Sequence, residues 1–371
     1  MGNLRRVLTA TTSASLIVAV GVLGAAPSHA VNTYMVTNTY GGNDGSYAGS
    51  LARAITLANA AGSGTIAFDP GLFSSSQIIT LTADLPTITV PVSINGTGAS
   101  LVTIDGNNAR RILNINAGAS DITISGVTFT RGKVALINVS SGGAIYATAH
   151  TLTIDSCAFT SNSTAATNNM ASGGAINVNG SVVITNSTFT SNSASVLTNS
   201  AGTALTSSYG GAVYAPSGAI TISGSTFTSN TSSSAIGTAY GGAVALWGGA
   251  LTISGTNTFT SNTATGGAPD ATGQGDGGLA HGGAIYTGST APLTMSGTGT
   301  FTSNSATGGN GRNTCAVTAG CNGGNGQGGA MEIAGDYSID GAFTFSGNSV
   351  LGGSSGNLTS GVIQAGGGLG G

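Results

Sequence analysis

The chain has 371 residues, of which 40% are hydrophobic and only 5% charged, with 64 glycines and a formal net charge of −3. Ample hydrophobicity with scarce charge excludes a disordered chain, the weak acidic balance argues against nucleic acid as a partner, and glycine without a three-residue period excludes collagen. Three cysteines are too few for a disulfide scaffold.

Arg5 and Arg6 precede an uncharged apolar run centred on Leu16 to Ala26, closed by the small-x-small pattern Ser28-His29-Ala30. Residues 1–30 therefore read as a secretory signal peptide. Their strongly apolar part is about 12 residues, short of the roughly 20 that span a bilayer. No later run is longer, so no transmembrane helix is expected after cleavage.

Residues 31–63 read as an N-terminal cap, with a strand at 33–38 and one amphipathic helix. Ser50 is its N-cap, and Leu51, Ala54, Ile55 and Ala58 share a face. A helix ahead of many strands suits the open end of a solenoid, which otherwise exposes its core and unpaired strand edges. From 64 to 141, short alternating runs such as Ile66/Phe68, Ile79/Leu81, Val102/Ile104 and Ile122/Ile124 are bounded by turn residues and fit irregular coils.

Between 142 and 348 two words return six times. Gly-Gly-Ala plus an aliphatic residue starts at Gly142, Gly173, Gly210, Gly241, Gly282 and Gly328. A phenylalanine and, three residues on, an asparagine follow as Phe159/Asn162, Phe189/Asn192, Phe227/Asn230, Phe259/Asn262, Phe301/Asn304 and Phe345/Asn348. The second glycine lies 18 to 21 residues before the asparagine, whereas successive phenylalanines are 30 to 44 apart. The variation therefore lies in one Ser/Ala/Thr/Gly-rich segment per repeat, such as 194–209, 263–281 and 305–327. These segments are expected to be loops leaving one side of a constant coil. The constant part fits three strands that close into a right-handed parallel β-helix with coils about 4.8 Å apart. The phenylalanines would stack as a core column and the asparagines as a hydrogen-bonded ladder at a turn. Residues 349–371 read as a Gly-rich tail without the alternating strands of a membrane barrel.

The pairing of Gly-Gly-Ala-Ile/Val with Phe-x-x-Asn over 142–348 resembles the repeats of chlamydial polymorphic outer membrane proteins. Tyr34-Met35-Val36-Thr37-Asn38, Gly49-Ser50-Leu51-Ala52-Arg53-Ala54-Ile55, Phe68-Asp69-Pro70 and Ile104-Asp105-Gly106-Asn107-Asn108-Ala109-Arg110 look like the N-terminal module of secreted bacterial β-helix proteins. The first resemblance implies a surface-exposed or secreted passenger, associated with the outer membrane and used in adhesion.

Three functional readings follow. Polysaccharide lyase or hydrolase chemistry needs a base with charge stabilisation, or two carboxylates about 5–10 Å apart. Only 105–155 has enough ionisable groups, namely Asp105, Arg110, Arg111, Asp121, Arg131, Lys133, His150 and Asp155. They read as solvated turn residues, and no catalytic residue is expected. His150 and His281 lack a Cys or carboxylate at ligand spacing, so neither a metal nor a cofactor is expected. The second reading rests on threonines flanking the phenylalanines, Thr188, Thr190, Thr226, Thr228, Thr258, Thr260, Thr300 and Thr302. With Phe inward they form an outward grid, about 6.7 Å by 4.8 Å, similar to the Thr-x-Thr arrays of β-helical ice-binding proteins. Threonine is also simply a good strand former. The third places weak, multivalent binding to surface glycans or host matrix components in the variable loops, which are poor in the Tyr, Trp and Arg that anchor interfaces. A secreted or cell-surface, non-enzymatic, adhesin-like or structural β-helix is the expectation. Cys157 is expected to be a buried free thiol, and Cys315 with Cys321 brackets a Gly-rich loop that a disulfide could close.

Overall fold

The computed structural model describes residues 32–136, 138–167, 169–197, 206–269, 276–311, 314–315, 322–355, 357–358 and 367–369. Strand β1 (Thr33–Val36) is followed by helix α1 (Leu51–Ala61) and strand β2 (Gly64–Phe68), which pairs in parallel with β1. Ser50 caps α1 by accepting from the Arg53 amide at 3.0 Å, and Gly62 ends it in the left-handed region at φ 82°. Leu51, Ala52, Ala54, Ile55 and Ala58 are buried in the core shared with both strands.

From β2 onward the chain is a stack of parallel strands. The coil starting at Val213 is representative: Val213–Ala215, Ile220–Ser223, Thr226–Thr228, Thr231–Ser234 and Thr238–Tyr240. Each strand pairs in register with its counterpart one coil on. The first three positions of the coils join one 22-stranded array, and the last two, present from Lys133 onward, build separate seven-stranded sheets. The solenoid architecture thus matches the sequence reading, but from Leu113 onward each coil has five strand positions rather than three. The ends of the segments expected to be loops, such as Ser193–Val196, Ser207–Tyr209, Thr263–Thr265 and Ser305–Thr307, are strands. Their small residues have a packing reason. The two extra sheets face each other across clusters such as Ala239, Ala264, Ala280 and Ala306, a gap that larger side chains would wedge open.

The main core lies inside the first three ladders. Phe129, Phe159, Phe189, Phe227, Phe259 and Phe301 are fully buried and stack with ring centroids 4.7 to 5.0 Å apart. Asn162, Asn192, Asn230, Asn262 and Asn304 are also fully buried. Each side-chain amide donates to a phenylalanine carbonyl and to the next asparagine Oδ1, as Asn192 does at 3.0 and 2.9 Å. Phe345 and Asn348 depart from the core assignment. Phe345 is 47% exposed and Asn348 half-buried, because no further coil among the described residues covers this one. Phe345 still stacks on Phe301.

The two glycines of each repeat do different work. The first takes φ between 55° and 64° at all six positions, a region that costs other L-residues energy. The second stands where the main coil pinches off from the extra sheets. A Cβ on Gly174 would lie 2.1 Å from the Gly211 carbonyl oxygen and 2.4 Å from that of Ser193.

Candidate functional site

The eight threonines form two columns in register, Thr188, Thr226, Thr258, Thr300 and Thr190, Thr228, Thr260, Thr302. Thr188 and Thr300 are exposed and the other six half-buried. Ala158 stands beside Thr188 and interrupts the first column.

The ionisable residues of 105–155 are mostly spent on contacts between neighbouring coils. Arg131 forks onto Asp105, whose side chain is 4% exposed and also accepts from the Asn107 amide. His150 Nδ1 meets Asp121 Oδ1 at 2.8 Å on the surface. Asp155 accepts from Thr185 at 2.6 Å and from Asn186 and Ser156, and these bonds, Thr185 first, hold its carboxyl below the usual range. Arg111 donates to the Ser141 and Gly142 carbonyls and lies over the Tyr146 ring. Arg110, Arg111, Lys133 and Asn114 line a cleft of about 420 Å³ in which Asp84 is the single carboxylate. Cys157 is a buried free thiol, and burial pushes it up to about 11, far from a reactive thiolate. The Cys315–Cys321 pairing lies outside the residues whose side chains are described. Among the described residues no three His, Cys, Asp or Glu side chains come together as a metal set.

A different place collects the chemistry. The left-handed first glycine of each Gly-Gly folds the last strand of one coil against the first strand of the next. This brings the residue before the glycines onto the residue five positions later. Asn177 Nδ2 donates to Ser172 Oγ at 2.7 Å, Tyr209 stacks on Tyr214 at 5.0 Å, and His281 lies 5.6 Å from Tyr286. Because the coils are in register, these pairs line a re-entrant corner along the stack. One wall carries Ser172, Tyr209, Tyr240, His281 and Gln327. The other carries Tyr146, Asn177, Tyr214, Ala245, Tyr286 and Glu332.

Within this corner Tyr209, Tyr240 and His281 form a continuous stack, 4.9 and 4.8 Å between centroids and within 5° of parallel. Small Ala245 leaves room for Trp247, which stands perpendicular to Tyr209 and Tyr240 and is 45% exposed. His281 Nδ1 is 2.8 Å from Glu332 Oε2. Burial pushes the Tyr240 hydroxyl up to about 12 and those of Tyr214 and Tyr286 higher still, so all three stay neutral at physiological pH. The chain's one Trp, its one Glu and four of its nine Tyr therefore meet in the part of the corner from Tyr209 to Glu332.

Sequence reasoning passed over this cluster by weighing the variable segments as a whole. The signal lay at two fixed positions, immediately before Gly-Gly and five residues later, where Tyr209/Tyr214, His281/Tyr286 and Gln327/Glu332 fall. The carboxylate that meets His281, Glu332, is 51 residues away in sequence, beyond any local ligand spacing. No family model, curated protein or solved structure matches this chain.

Proposed function

We propose that the chain is a secreted or cell-surface, right-handed β-helical protein that acts without catalysis as an adhesin-like binding element, with α1 covering the first coil. The repeats support placing it beside polymorphic outer membrane protein passengers. Its partners are surface glycans or host matrix components. One observation carries this reading: successive coils align polar and aromatic side chains along one corner outside the core, half-buried at Tyr146, Tyr209, Tyr240, Gln327 and Glu332, while Asp105 and Asp155 are held in contacts between coils. A rigid stack with an aligned outer corner suits repeated contact with an extended surface. The labelled protein is expected to be retained saturably on glycan or matrix arrays. Release of unsaturated or reducing sugar from a polysaccharide panel would overturn the non-catalytic reading. Secretion is checked by N-terminal sequencing of protein from the culture medium, expected to begin at Val31.

The in-register threonine columns favour a second reading, a flat hydroxyl and methyl face for an ordered lattice such as ice. Inhibition of ice recrystallisation, abolished by Thr228→Tyr, would support it; inactivity of the unmodified protein would remove it.

A further inference from the structure

We infer that the corner from Tyr209 to Glu332 is a binding site for an extended neutral glycan, with Trp247 as its stacking platform. This rests on the surface-binding reading and names the ligand class of that corner. Nearly half of the Trp247 surface meets solvent, yet contacts with Tyr209, Tyr240 and Tyr286 fix the ring in place. A pre-positioned aromatic ring loses little entropy when the apolar face of a sugar settles on it. Polar groups surround the platform. Tyr214 and Tyr286 are each 7% exposed, and their hydroxyls have no hydrogen-bond partner among the described residues. Glu332 holds His281 through Oε2, which leaves its second oxygen for a sugar hydroxyl.

Other extended polymers fit this corner less well. A peptide adding as a strand needs a free sheet edge, but the backbone here is already paired from coil to coil, as in Gly210 N to Tyr240 O and Gly241 N to His281 O. A polynucleotide needs cations, but the one charged residue among the wall positions from Tyr209 to Glu332 is the Glu332 carboxylate. The coil rise of about 4.8 Å is close to the advance per residue of an extended pyranose chain. Successive sugar rings therefore meet successive coils in step.

The sole tryptophan is a built-in reporter. Titration of the full chain with hexamers of cellulose, xylan, mannan and chitin is expected to give a saturable fluorescence change for at least one of them. By calorimetry, Trp247→Ala is expected to lose at least about tenfold in affinity and Tyr240→Ala several-fold, while Trp247→Phe retains binding. Unchanged circular dichroism of the variants excludes misfolding as the cause. The inference is overturned if no neutral hexamer binds, if only hexagalacturonate binds, or if Trp247→Ala binds as the unmodified protein does. Array retention separates the two levels. Equal retention of the unmodified protein and Trp247→Ala sinks the platform and spares the adhesion reading. Hexamer binding without retention on any surface does the reverse.

Discussion

Truncating Asn230 to alanine tests whether the asparagine ladder holds the coils together. Asn230 Oδ1 accepts from the Asn192 amide at 3.1 Å and from Asn192 Nδ2 at 2.9 Å, while its own Nδ2 donates to the Phe189 carbonyl and to Asn262 Oδ1, both at 2.9 Å. Asn230→Ala therefore removes four hydrogen bonds from a site with no exposure to water. The Asn192 amide is left without that acceptor, at a cost of about 1–3 kcal/mol, and the other three losses cost about 0.5–1 kcal/mol each. The sum is about 2.5–6 kcal/mol. Asn348→Ala makes a similar deletion where water can substitute, and about 1–2 kcal/mol is expected there. Urea unfolding with linear extrapolation measures both. Asn230→Asp keeps the acceptor for Asn192 but sets a carboxylate oxygen against Asn262 Oδ1, so it is expected to be worse at neutral pH and to recover on acidification. A loss below about 1 kcal/mol for Asn230→Ala, or one equal to that of Asn348→Ala, would refute the ladder as a source of stability.

Phe227 is fully buried between rings at 4.7 and 4.9 Å, so Phe227→Ala is expected to cost about 3–5 kcal/mol, against about 1 kcal/mol for the half-exposed Phe345→Ala, in the same urea assay. A Cβ on Gly211 would stand 2.1 Å from the Gly242 carbonyl oxygen, and Gly211→Ala is expected to lower the thermal midpoint by more than ten degrees or prevent soluble expression. Ala at Gly118, where nothing lies within 4 Å and only the φ of 59° is unfavourable, should cost about 1–2 kcal/mol. Asp155 is held below its usual value near 3.8 by Thr185, Asn186 and Ser156. Its contribution to stability is thus complete above that value and is lost as the pH falls through the lower folded value. Asp155→Asn should flatten this part of the acid denaturation profile, and an unchanged slope would show that these hydrogen bonds do not couple to folding.

The main coil was legible because its signals are periodic and chemically extreme. Phe227 and Asn230 recur with their neighbours at a fixed phase, and helix α1 announces itself through Ser50 and an apolar face. The two extra sheets were not legible for the opposite reason. Ala239, Ala264, Ala280 and Ala306 fill a gap that only small residues fit, so the strands carry a composition that resembles loops. The second glycine was half understood from sequence. A permissive dihedral could be anticipated for the first, whereas the backbone crossing at Gly174 depends on Ser193 and Gly211 from other parts of the chain. The aromatic corner was hidden by insert length. Tyr240, His281 and Gln327 are consecutive on one wall, but their sequence separations of 41 and 46 residues differ with the inserts between them.

Stability and recognition occupy different positions of the same repeat, and the first glycine of each pair explains why they can. Its left-handed turn sets the aliphatic residue that follows Ala into the core, as with Val213, while Tyr209 and Tyr214 on either side meet outside it. The corner positions hold Ser172/Asn177, Tyr209/Tyr214, Tyr240/Ala245 and His281/Tyr286 on a register that the Phe column and the Asn ladder keep unchanged. Side chains at the corner can therefore vary from coil to coil without disturbing the core that fixes their spacing. The Ala245 coil is the clearest case. A small residue on the wall lets Trp247 fold into the corner from two positions further along the strand, and the core residues Val244 and Leu246 on either side of Ala245 remain fully buried.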